Sequence, residues 1–312
     1  MVTVQNILRK INIRGRVAAA EPMHKHTTFG VGGPADLYAV PSDAEDVAEL
    51  LRFAREYEIP LFTLGGGSNI LVSDQGIRGM VMDTRGFDRL EQQGTTVIAG
   101  SGLEISTASA FAADRGLEGL HFLYSMPGSV GGAVWMNARC YGHSVIDVLA
   151  DVFCVTPEGE ILHYTPRFED FAYKVSPFQS NGWVVLEASF ALREGDRSAL
   201  WDSMHGYEAD RTEKGHFAAP SAGSVFKNDR SLGRPSGAII DSLGLRGSQI
   251  GGARISDQHA NIIINTGDAT ATDIRHLIEL IEQRVETELG LRLEREVLLA
   301  GDWEDADADV TR

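Results

Sequence analysis

The sequence predicts an α+β protein: a glycine-rich, ligand-binding N-terminal part followed by a smaller C-terminal part. Three observations carry this. An apolar strand at 59–64 (IPLFTL) runs straight into GGGSN (65–69). The polar segment REGDRS (193–198) reads as a boundary. Beyond it the chain has its own helix–strand–helix pattern.

In order, the first helix is expected over 42–58 (SDAEDVAELLRFAREYE). Ser42 with Glu45 three residues on makes a capping box, and Val47, Leu50, Leu51 and Ala54 form one apolar face. Strands are expected at 59–64, at 79–83 (GMVMD), at 96–100 (TVIAG) and at 183–192 (WVVLEASFAL). A helix over 104–115 stops at Gly116, and the middle of the chain reads as loop-rich. After the boundary come a helix at 198–211, a strand at 260–265 (ANIIIN) and a helix at 271–289. Ile274, Leu277, Ile278, Ile281, Val285 and Leu289 recur there at helical spacing, and Gly290 supplies the stop.

Composition narrows the function. A net charge of −16 argues against nucleic acid or an anionic membrane as a partner. The tail at 302–310 (DWEDADADV) adds to that charge and reads as a solvated end. No apolar run of about 18 residues occurs. The opening MVTVQNILRKINIRGR has no signal-peptide core, so a cytoplasmic protein is expected. The only cysteines, Cys140 and Cys154, form no CxxC and read as reduced thiols. His24 and His26 lack clustered partners, so no metal site is expected.

GGGSN at a strand end, MPGSVGGA (126–133) and, more weakly, GVGGPAD (30–36) allow backbone to approach a ligand closely. There is no GxxxxGK[ST] and no GxGxxG with its acidic partner, so P-loop kinases and Rossmann dehydrogenases are disfavoured. No GxSxG elbow is present either. Two glycine stretches in one domain point to a dinucleotide cradle. SAGSVFKN (221–228) places Ser224 directly after Gly223; spacing leaves open a turn residue, a phosphate ligand or a group that does chemistry.

Six segments occur in a telling order: TTFGVGGPADL (27–37), LGGGSNILVSDQGIRGMV (64–81), MPGSVGGAVWMNA (126–138), PSAGSVFKN (220–228), SDQHANIIINTGDATATDI (256–274) and LEREV (293–297). With them the chain resembles the UDP-N-acetylenolpyruvoylglucosamine reductase (UDP-N-acetylmuramate dehydrogenase) family over about residues 22–301, in its shorter subtype. The resemblance implies an FAD-binding domain of the vanillyl-alcohol-oxidase (PCMH) type at 22–196 and a smaller α/β substrate-binding domain at 197–303. It implies non-covalent FAD, NADPH as co-substrate, a small nucleotide-sugar substrate and a monomer. It also implies an FAD-dependent oxidoreductase that reduces an enolpyruvyl double bond in peptidoglycan precursor synthesis, hence in cell-wall biogenesis, cell shape and division.

That reduction builds negative charge at the substrate's α-carbon and carboxylate, which needs cationic or hydrogen-bonding support and then a proton. By resemblance Ser224 donates the proton and Glu296 helps stabilise or protonate the intermediate. Serine is a weak acid, and Lys227, three residues on, is a candidate to support its alkoxide on this chain's own evidence. Tyr173, Arg211, Lys214, Lys227, Asn228 and His259 are carried over or placed as substrate contacts. Gly65, Gly66, Gly67, Ser68, Asn69, Gly128, Ser129, Gly131 and Gly132 are carried over as FAD contacts.

The chain has only five lysines, and Lys174, Lys214 and Lys227 all fall in or near the expected substrate site. One departure stands out: the family's Tyr-Arg-x-Ser reads Tyr173-Lys174-Val175-Ser176 here. Lysine keeps the charge but loses the planar fork, and Lys174 is expected to do the catalytic job as a point charge. Two rivals are another FAD-dependent oxidoreductase of the same fold, acting as an alcohol or sugar oxidase, and a degenerate, non-catalytic binder. No His or Cys is placed to anchor flavin covalently, and the retained Ser224 and Glu296 argue against a mere binder.

Overall fold

The computed structural model describes residues 7, 8 and 10–303 and divides into two compact units. The acidic tail lies outside the described residues from 304 onward. No single cut in the chain separates the units. The first holds Met1–Ala20, Asp36–Gly66 and Gly79–Glu208; the second holds Glu21–Ala35, Gly67–Arg78 and Ala209–Arg312. Backbone pairing explains why the two short segments join the second. Gly33 donates to Ser73 O, and the strand Leu298–Ala300 lies parallel to Ile70–Val72.

In the first unit a four-stranded sheet runs in the order Arg16–Pro22, Pro34–Val40, Ile77–Asp83, Leu61–Leu64, the last pair parallel. The first helix is Ala44–Glu56, and its expected face of Val47, Leu50, Leu51 and Ala54 is buried. Removing each larger side chain from water is worth about 1.5–3 kcal/mol. The cap sits one residue later than the sequence suggested: Asp43, not Ser42, accepts from Asp46 N. The Asp46 carboxylate in turn accepts from the Arg14, Gly15 and Ser42 amides, which fastens the N-terminal segment to the helix start.

A second sheet of five antiparallel strands has the order Ile161–Tyr164, Leu149–Val155, Val184–Ala191, Thr96–Gly100, Leu90–Gln93. The supposedly loop-rich middle therefore supplies two strands of this sheet. Bulges at Leu149/Asp151 and Phe153/Cys154 break their alternation and mask the period-two signal. Ile105–Asp114 and the short Val130–Trp135 helix pack on this sheet through Ile105, Ala108, Ala112, Val130 and Val134. Gly116, at φ +64°, ends the former as expected.

The second unit has its own core. A three-stranded sheet (Gln249–Ile250, Ala253–Ile255, Ile263–Asn265) carries the Ala271–Leu289 helix, whose Ile274, Leu277, Ile278, Ile281 and Val285 are buried. Leu289, expected on that face, is exposed in the last turn. Thr270 and Asp273 form a reciprocal capping box, Gly290 closes the helix at φ +66°, and Asp74 accepts from the Ala271 and Thr272 amides.

Candidate active site

The glycine segments of the first unit interlock. Leu61–Leu64 ends at Gly65, and Ser129 caps the Val130–Trp135 helix by accepting from Gly132 N. The same Ser129 Oγ accepts from Gly66 N at 3.3 Å. A Cβ on Gly66 would lie 2.8 Å from Gly128 Cα and 2.9 Å from Ser129 N, and one on Gly65 would lie 2.6 Å from Ser129 Oγ. Both positions need glycine for the two loops to meet. Gly131 is similarly excluded by Ser101, 2.7 Å from its would-be Cβ.

Gly132 is different. It is exposed, helical, and a Cβ there meets only Ser129 Oγ, at 3.5 Å. Nothing on the protein side requires glycine, although alanine favours a helix by about 1 kcal/mol. A flat ligand laid against this surface is what would require it, so the cradle fits a flavin dinucleotide. Gly67, Ser68 and Asn69 belong to the second unit. There Gly67 O accepts from Thr28 N, and Asn69 Nδ2 donates to Glu296 O at 3.0 Å.

Tyr173 and Lys174 lie in the first unit, at the tip of a tight turn. Ala172 and Val175 exchange both backbone hydrogen bonds, at 3.2 and 3.1 Å. Lys174 has φ +59°, a left-handed conformation that glycine or asparagine normally fills. Its ammonium is 6.0 Å from the centre of the Tyr173 ring, and Tyr173 is exposed.

The remaining candidates lie in the second unit. Residues 224–227 run between two neighbours: Ser224 bridges Ile262, and Phe226 bridges Arg295. Val225 O accepts from both Glu296 N (2.7 Å) and Val297 N (3.2 Å). This doubled contact brings the Glu296 backbone to Val225, the residue after Ser224. Lys227 Nζ is 2.5 Å from Glu294 Oε1, so its charge is shared with that carboxylate. Lys214 pairs with Asp210 at 2.8 Å, and Arg211 is buried. Asn228 Oδ1 accepts from Ser236 N.

Sequence reasoning missed two residues here. Asn261, 1% exposed, holds the serine strand at three points: its carbonyl takes Val225 N, its Oδ1 takes Phe226 N and its Nδ2 donates to Phe226 O. His216 lies 5.8 Å from His259, ring centre to ring centre. Burial, then the charges of Arg211, His259 and Lys214, push the His216 imidazole down to about 4. Burial and Lys214 also lower His259, whose Nδ1 accepts from Asn261 N. That bond fixes the proton of the neutral ring on Nε2. Only the "HAN" spelling at 259–261 hinted at Asn261, and His216 gave no signal beyond its neighbour Lys214.

Residues 35–165 match the family model described as an FAD binding domain, and 215–300 match the C-terminal domain of UDP-N-acetylenolpyruvoylglucosamine reductase. With the cradle above, these define an FAD-dependent oxidoreductase. Its FAD-binding domain is followed by the C-terminal domain of that reductase.

UDP-N-acetylenolpyruvoylglucosamine reductases from Borrelia garinii subsp. bavariensis and Latilactobacillus sakei subsp. sakei are 36% and 40% identical to this chain. Each alignment covers 96% of this chain, and 97% and 99% of the respective relatives. The crystal structure of the Thermus caldophilus enzyme superposes with a TM-score of 0.77 at 32% identity, covering 93% of this chain and all of that one. The chain belongs to the UDP-N-acetylenolpyruvoylglucosamine reductase family.

Proposed function

We propose that this chain reduces UDP-N-acetylglucosamine enolpyruvate to UDP-N-acetylmuramate with NADPH, in the cytoplasm and as a monomer, supplying peptidoglycan synthesis and hence cell shape and division. FAD held by the Gly65, Gly66, Gly131 and Gly132 cradle would supply the redox chemistry, taking a hydride from NADPH and passing one to the β-carbon of the enolpyruvyl group. The chain's residues manage the charge and the proton. Lys174 meets the substrate carboxylate as that charge develops, where a fixed cation acts most strongly. Ser224 delivers a proton to the α-carbon, and Glu296 helps stabilise or protonate the intermediate. Arg211, Lys214, Lys227, Asn228 and His259 hold the nucleotide sugar, whose phosphates compete with Asp210 and Glu294 for the two lysines. Among the described residues no helix is long and apolar enough to cross a membrane.

The observation that supports this reading best is that the carbonyl of Val225, the residue after Ser224, accepts from the Glu296 and Val297 amides, which joins the segments that carry the hydroxyl and the acid. The test is to purify the protein, record a flavin spectrum and follow NADPH oxidation with and without the enolpyruvyl substrate. Ser224→Ala is expected to leave flavin reduction intact and to stop its reoxidation by substrate. A colourless protein that cannot be reconstituted with FAD, or an S224A variant that turns over normally, overturns the reading.

A further inference from the structure

Lys174 is one of six non-glycine residues with positive φ among those described, and four of them (Ser125, Asn137, Tyr141, Lys174) fall between 125 and 174. Backbone strain of this kind persists only where the surroundings over-determine it. The surroundings of Lys174 are specific. Asn137 Nδ2 donates to Ala172 O at 2.8 Å, fixing the first residue of the turn. Its Oδ1 accepts from Ile146 N, and the residue is buried, so the amide is held at both ends. Gln179 Nε2 donates to Lys174 O at 3.2 Å and to Trp135 O at 2.8 Å, with Met136 Sδ a longer contact at 3.9 Å. Ser176 Oγ adds a second donor to Trp135 O, at 2.6 Å.

Trp135 and Asn137 close the helix whose other end is Ser129 and Gly132. Six helical residues span about 9 Å. The last carbonyls of any helix are left over by its own ladder. Here one of them is the anchor for the lysine turn, and the same short helix carries the flavin-side glycines at its start.

We propose that Asn137 and Gln179 are positioning residues that hold Lys174 in its left-handed turn, fixing its cation relative to the cofactor cradle through one rigid helix. The inference rests on the reading of Lys174 as the cation that meets the substrate carboxylate. Gln179→Met keeps the volume and removes both donors; Asn137→Ala removes the other clamp.

Stopped-flow absorbance of the FAD-loaded enzyme separates flavin reduction by NADPH from its reoxidation by the enolpyruvyl substrate. Both variants are expected to bind FAD and to reduce it at the wild-type rate. The substrate half-reaction should slow by about 10²-fold, the penalty for roughly 1 Å of misplacement. The same Q179M change placed in Lys174→Ala should have no further effect, because there is no ammonium left to misplace. Wild-type reoxidation in both single variants overturns the inference, as does an equal slowing of Q179M with and without Lys174. If Lys174→Ala alone turns over normally, the catalytic reading of Lys174 has failed instead. Should N137A not fold, Q179M carries the test alone.

Discussion

The left-handed lysine makes an inverted stability order the sharpest quantity to measure. In a helix interior glycine is worse than alanine by about 1 kcal/mol, because the unfolded chain gains freedom. At φ +59° the balance changes. An L side chain there costs roughly 1–2 kcal/mol, from Cβ against the carbonyl. Glycine does not carry that cost but gives back roughly 0.5–1 kcal/mol through the unfolded state. Lys174→Gly should therefore be more stable than Lys174→Ala by up to about 1.5 kcal/mol. At about 2.1 cal/mol/K per residue, that is a shift of at most ~2 °C in a chain this long, so urea midpoints are the better assay.

Both variants lose the ammonium, so both should lose the substrate half-reaction by orders of magnitude while still binding and reducing FAD. Lys174→Arg keeps charge and strain, and should stay within about tenfold of wild type. Stability gained together with activity lost is what a strained functional residue yields on relief. The reasoning is refuted if K174A proves more stable than K174G, or if either turns over near the wild-type rate.

Three other outcomes are expected. Gly66→Ala drives Cβ into the Gly128 backbone and should cost fold and flavin together, whereas Gly132→Ala meets only Ser129 Oγ and should cost flavin alone. Absorbance ratios and circular dichroism distinguish the two, and full flavin occupancy in G132A would refute the cradle. His216, held down at about 4, binds its proton in the unfolded chain near 6.5 but not in the folded one. Stability contributed by its neutral form is present above about 6.5 and is lost as pH falls towards 4. His216→Asn should flatten denaturation midpoints measured at pH 7 and pH 5, and an unchanged pH slope would count against it. Asp83 is buried, and hydrogen bonds from Arg85 and Tyr38 overcome the effect of burial and keep it ionised. Asp83→Asn should cost about 1–3 kcal/mol, since the Arg85 side chain is partly solvated; a midpoint within error of wild type would remove the network from the stability account.

How much of this was legible depended on the length scale of the signal. The 271–289 helix could be read to the residue, because a 19-residue amphipathic pattern with a glycine stop has few alternatives. The same rule misplaced the first cap by one position, since Ser42 and Asp43 are both good caps and only Asp46's contacts with Arg14 and Gly15 decide between them. The glycines announced a cradle, but not that Gly66 excludes a side chain by touching the Gly128 backbone while a Cβ on Gly132 meets only Ser129 Oγ. One kind of glycine closes the protein on itself and the other leaves room for a ligand; a string of letters shows them as the same.

The site followed the same division. Ser224 and Glu296 are separated by about 70 positions in the sequence, and no local pattern links them. Their segments meet through Val225, whose carbonyl takes both the Glu296 and the Val297 amide. Lysine for arginine at 174 looked, in the sequence, like the loss of a planar, two-pronged donor with the charge kept. The structure adds a compensating consideration. A flexible ammonium is a poor substitute for a fork only if its backbone is free to wander. Here the backbone on either side of the turn is pinned by Asn137 and Gln179 to a single helix. Less ordering is then left for substrate binding to impose, because an anchor fixed in advance lowers the entropy cost of the contact. A chain that uses a point charge in place of a fork has most to gain from such an anchor, so loosening the clamp should hurt the lysine enzyme more than its K174R variant.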